Sequence, residues 1–75
     1  MSDTTNDPND LMRNEVVRLI QNIGNELNIS AQESVKFVQG NKSAGTRIRR
    51  VMQNIKKLAQ EVRVEVQSQK KKAAV

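Results

Sequence analysis

From residue 44 onward the apolar side chains recur as heptads. With Ile48 placed at position a, Ala44, Val51 and Leu58 fall at d, and Ile55 and Val62 return to a. Alternating steps of four and three form an uninterrupted seam for packing against another helix. A looser stripe precedes it: Met12, Val16, Ile20, Ile23, Leu27, Ala31, Val35 and Val38, widened by Val17, Leu19 and Ser34. Its mean period lies slightly above 3.6, which still reads as one face of a helix. The pattern predicts an all-α chain, with a helix over 9–39, a turn at 40–42 and a second helix over 43–69.

The punctuation agrees with that division. Asp7-Pro8 suits a helix start, because aspartate accepts from free N–H groups and proline fits the first turn, while Asp10 favours the helix N-terminus. Gly40-Asn41 is a stop, with Gly40 as a left-handed C-cap, and Asn41, Ser43 or Thr46 caps the second helix. Gly24 costs a helix interior about 1 kcal/mol relative to alanine. Ser30-Ala31-Gln32-Glu33 also fits a capping box that restarts a helix after Asn28-Ile29. One continuous first helix is the preferred reading, and a break near residue 29 the alternative. Gly45 fits either a close approach of the two helices beside their turn or a backbone opening towards a phosphate.

So short a link makes the two long helices antiparallel, an αα-hairpin. A hairpin buries one face of each helix and leaves apolar side chains over, among them Val17 and Leu19 on the first helix and Met52, Ala59, Val64 and Val66 on the second. Two hairpins in a dimeric four-helix bundle or coiled coil would cover them. Ile20, Ile23, Leu27, Val35, Ile48, Val51, Ile55, Leu58 and Val62 are the expected core or oligomer seam.

Length and composition strengthen the case for assembly. The 75 residues include one aromatic, Phe37, which is expected in the core or an interface, and neither Cys nor His. Chains this small usually need disulfides, a metal or oligomerisation to be stable, and the lack of Cys and His excludes disulfides and the usual zinc sites. A homodimer or larger homo-oligomer remains. The same absences remove the usual general base and the strongest nucleophile. Carboxylates stand singly, and the Gly-Asn-Lys-Ser-Ala-Gly of residues 40–45 lacks Walker spacing. No enzyme activity, metal, cofactor or small-molecule substrate is expected. With no apolar leader at the N-terminus and no run of about 20 apolar residues, the chain reads as soluble and intracellular.

Charge then changes the picture. The net charge of +5 conceals two unlike halves: residues 1–40 carry six acids and three bases, residues 41–75 ten bases and two acids. Residues 1–8 read as a disordered acidic arm and 70–75 as a short basic tail; the arm either competes for the basic half or simply solubilises the chain. On the second helix Lys42, Arg49, Lys56, Arg63 and Lys70 occupy successive b positions, and Arg50, Lys57 and Lys71 stand at c. Such cations often do no more than solvate a helix face. Here the acids that normally interleave with them are reduced to Glu61 and Glu65, and arginine, whose fork suits phosphate, is well represented. The strip therefore points to a polyanion, chiefly double-stranded DNA bound largely without sequence preference, with RNA as a variant ligand. Lys42 and Arg47, near the helix start, join its free N–H groups in holding one phosphate. The competing reading is a coiled-coil assembly module whose basic face meets an acidic protein. A peripheral membrane helix fits less well, lacking Trp or Phe at the rim of its apolar face.

The run Gly40-Asn41-Lys42-Ser43-Ala44-Gly45-Thr46-Arg47, continued by Arg49-Arg50 and Lys56-Lys57-Leu58, resembles the bacterial histone H1-like family, whose best-known member is the chlamydial nucleoid protein. The resemblance covers residues 10–68 and is most specific over 40–58. It implies sequence-tolerant DNA binding and chromosome compaction. The expected location is intracellular, in the nucleoid or cytoplasm of a bacterium or on viral DNA. On matching positions the resemblance implicates Lys42, Arg47, Arg49, Arg50, Lys56 and Lys57. Chlamydial-type members continue into a long Lys/Ala-rich tail where this sequence has only Lys70-Lys71-Lys72-Ala73-Ala74, so the hairpin itself is expected to supply most of the binding.

Overall fold

The computed structural model describes residue 11 and residues 13–73. Two helices account for almost all of it, α1 over Glu15–Val38 and α2 over Lys42–Ala73, packed as an antiparallel hairpin. Among the described residues there is no strand. The hairpin measures 59 × 23 × 11 Å, a layer one helix thick.

α1 starts later than the sequence pattern predicts. Leu11 and Arg13 are helical, but Asn14 is extended, and its side-chain oxygen accepts from Val16 N at 2.9 Å. That geometry satisfies an otherwise orphaned donor and makes Asn14 the N-cap. The expected start at Asp7-Pro8, Asp10 and the acidic arm lie outside the described residues. Downstream α1 runs unbroken. Ser30 does not cap a new helix; its hydroxyl donates back to the Leu27 carbonyl at 2.9 Å, and Gly24 is absorbed in open space.

The turn is a Schellman closure. Asn41 N donates to Lys36 O and Gly40 N to Phe37 O, each at 3.0 Å, with Gly40 at φ 107°. A side chain at that φ is strained, which is why glycine stands there. Asn41 then starts α2, its side-chain oxygen accepting from Ala44 N at 3.2 Å. Lys42 already belongs to α2, and the helix continues through Lys70, Lys71 and Lys72, so the basic tail expected from residue 70 is a helical extension as far as Ala73.

The heptad seam of α2 lies against α1. Ala44 and Val51 are buried, Ile48, Ile55, Leu58 and Val62 half-buried, and Glu65 and Gln69 prolong the line. On α1 the matching line is Val16, Leu19, Ile23, Glu26, Ser30 and Glu33. This corrects the expected stripe. Val16 and Ile23 face inward as predicted, but Ile20, Leu27, Ala31, Val35 and Val38 are exposed, and Leu19 takes the central place. A stripe dominated by four-residue steps drifts around the helix. A partner with a strict 3.5-residue seam can be met only by a line of the same period. Among the described residues only Leu19, Ala44 and Val51, at 5%, 0% and 9% exposure, are buried apolar residues.

Candidate nucleic-acid interface

Because the seam of α2 is taken up by α1, its b and c positions point outward. Lys42, Arg49, Lys56, Arg63 and Lys70 are all exposed, as are Arg50, Lys57 and Lys71. At 100° per residue the two rows flank position f, which holds Gln53, Gln60 and Gln67. The outer surface of α2 is thus a row of amides between two rows of cations. The glutamines stand in the same heptads, but uncharged amides on an exposed face give no distinct signal in the sequence. From Lys42 to Lys71 the strip runs about 43 Å at 1.5 Å per residue, with b-row charges about 10.5 Å apart.

The cations of this strip are not neutralised within the fold. Among the described residues Lys42, Arg49, Arg50, Lys56, Lys57, Arg63, Lys70 and Lys71 form no ion pair. Glu15 pairs with Arg18 on α1 at 3.5 Å, and Glu65 accepts a hydrogen bond from Gln69. Arg47 is different. It lies at position g, its Nε donating to Glu33 Oε1 at 2.9 Å, while Lys36 Nζ stands 3.9 Å from the other carboxylate oxygen. The structure therefore separates Arg47 from the other expected DNA-binding residues and gives it a partner across the hairpin.

Phe37 lies beside the start of α2, its ring over Gly45 in a shallow groove with Lys42, Thr46, Ile48 and Arg49. A Cβ on Gly45 would stand 2.8 and 2.9 Å from two ring carbons. Of the two readings of Gly45, close approach is the one the geometry supports, though it admits a ring rather than a helix backbone. Phe37 is half-exposed and so does not lie in the core.

Among the described residues no group of His, Cys, Asp and Glu is placed to hold a metal, and no helix is long and apolar enough to cross a membrane. Residues 17–72 match the family of the histone H1-like protein Hc1, which is more than half of the chain. The chain belongs to the histone H1-like family. That family consists of structural, DNA-binding nucleoid proteins rather than enzymes, and the match takes in both helices and the turn. No curated protein and no solved structure matches the chain. The histone H1-like match ends at residue 72, close to the last described residue of α2.

Proposed function

We propose that this histone H1-like chain binds duplex DNA through the outer surface of α2, by charge rather than by base reading, and thereby compacts or bridges it. The observation that carries the proposal is the set of eight exposed cations at b and c, none of them paired with a described carboxylate. Each Lys or Arg laid along the backbone neutralises a phosphate and releases condensed counterions. Lys42 stands in the first turn of α2, where free N–H groups add to its hold on a phosphate. The glutamine row offers hydrogen bonds to sugar and phosphate oxygens between the cations. Backbone contacts of this kind discriminate poorly between nucleic acids, so duplex RNA is a second ligand of the same surface. A second copy of the chain doubles the strip.

Fluorescence anisotropy over a salt series, with several unrelated duplexes, tests this. With five or six phosphates engaged, log affinity falls against log salt with a slope of about −5, the same for every sequence. No binding at low salt would favour the acidic-protein partner instead.

A further inference from the structure

We infer that the groove between Phe37 and the start of α2 takes one unpaired nucleobase, stacked on the Phe37 ring, with the adjoining phosphate held by Lys42 and Arg49. The groove is lined by Phe37 from the end of α1 and by Lys42, Gly45, Thr46, Ile48 and Arg49 from α2. None of these is acidic, and the volume, about 430 Å³, falls within the span of small-ligand sites. Phe37 is placed oddly for a packing residue. It is the one aromatic side chain of the protein, yet it is 51% exposed. Its seat is open because residue 45 is glycine: a Cβ there would stand 2.8 Å from Cε1 and 2.9 Å from Cδ1, but 3.9 Å from Cζ. The ring thus turns its Cδ1–Cε1 edge to α2, and half of its surface stays in water. Glycine inside a helix weakens it, and here it makes room for a ring that packing alone leaves wet. A flat ligand on that ring would bury what the hairpin does not.

Charge identifies the ligand. Lys42 and Arg49 open the b row, and neither is paired with a described carboxylate. Glu33 is taken by Arg47, which lies at position g on the other side of α2 from Gly45 at e. The site therefore combines an aromatic surface with two free cations. A nucleotide carries the matching pair, a flat base and a phosphate, in one unit. Stacking of this kind tolerates any sequence, because every base has a π-face, so it agrees with a protein that does not read base edges. Bases inside a duplex are covered by their neighbours and cannot reach the ring. The groove thus selects DNA in which unpaired nucleotides adjoin a duplex, with the duplex along the strip and the unpaired end at the turn. The inference rests on the reading of α2 as the DNA surface, which the groove continues at its turn end.

The test is made on the full chain by fluorescence anisotropy at one salt concentration. The probes are a blunt duplex, the same duplex with a short thymidine overhang, and the same overhang built of abasic nucleotides, which keep the phosphates and lose the bases. Wild type should bind the thymidine overhang roughly tenfold more tightly than the abasic one, as expected of a base stacked on an aromatic ring. Phe37→Leu should erase that difference and leave affinity for the blunt duplex unchanged, while Phe37→Tyr should retain it. Equal affinity of wild type for the two overhangs overturns the proposal, and an apolar anchor on an acidic protein would then suit the groove better. A preference that survives Phe37→Leu overturns it too. The wild-type comparison needs no variant, so a Phe37→Leu chain that fails to fold does not decide the matter. If none of the probes binds, the DNA-binding reading of α2 falls and the base site with it. If the blunt duplex binds and the two overhangs are alike, the base site alone falls.

Discussion

Glu33 joins the two helices at the turn end of the hairpin by accepting a hydrogen bond from Arg47 Nε at 2.9 Å. The carboxylate is largely buried, its side chain 13% exposed, and its second oxygen faces Lys36. The pair draws one cation of α2 away from the proposed DNA surface and ties the two helices together.

Separating Glu33 from Arg47 should therefore act in two directions. Glu33→Gln is expected to lower stability by about 1 kcal/mol, the range of a charge-assisted pair that is partly exposed. The same change frees Arg47 and removes a negative charge, so DNA affinity should rise, with the salt slope steeper by about one unit. Arg47→Gln, by contrast, should cost stability and leave the slope almost unaltered. Chemical denaturation and anisotropy on the same preparations check both.

Ala44 has no room to grow. It is fully buried on the seam beside the turn, and Ala44→Leu should destabilise the hairpin by about 1–3 kcal/mol through overpacking. A thermal melt followed by circular dichroism checks this. A gain in stability would mean that the helices separate more easily at the turn than their packing indicates.

Gly45 and Phe37 should behave as a coupled pair. In a Phe37→Ala background, Gly45→Ala should stabilise α2 by up to about 1 kcal/mol, the helix-propensity difference. With Phe37 present much of that gain is lost, because the new Cβ meets the ring at 2.8 Å. A double-mutant cycle with coupling near zero would show that the ring turns aside at no cost.

The second helix was legible in the sequence because its seam and its charges share one period. A strict heptad fixes which residues face a partner, and Lys42, Arg49, Lys56, Arg63 and Lys70 then fall outside without further assumption. Gly40-Asn41 was equally readable, since the left-handed cap demands glycine. The first helix was harder. Its inward line contains Glu26, Ser30 and Glu33, and hydrophobicity alone favoured the neighbouring Ile20, Leu27, Ala31 and Val35. Those polar residues are tolerated because Ser30 bonds to its own backbone and Glu33 has Arg47, a long-range partner that no local pattern announces. Arg47, expected at DNA by its type and position, takes that carboxylate as its partner within the hairpin. Asn14 caps α1, whereas the stronger local signal in the sequence is Asp7-Pro8, seven residues earlier.

The most direct test of the central claim compares the salt dependence of DNA binding for wild type and for the chain carrying Arg49→Gln, Lys56→Gln and Arg63→Gln. These residues are exposed and make no ion pair with a described residue, so helix content should be unchanged. Three phosphate contacts fewer should flatten the slope from about −5 to about −2 and weaken binding at every salt concentration below the physiological. An unaltered slope with unaltered affinity would contradict the account, because DNA would then be held by some surface other than the outer face of α2.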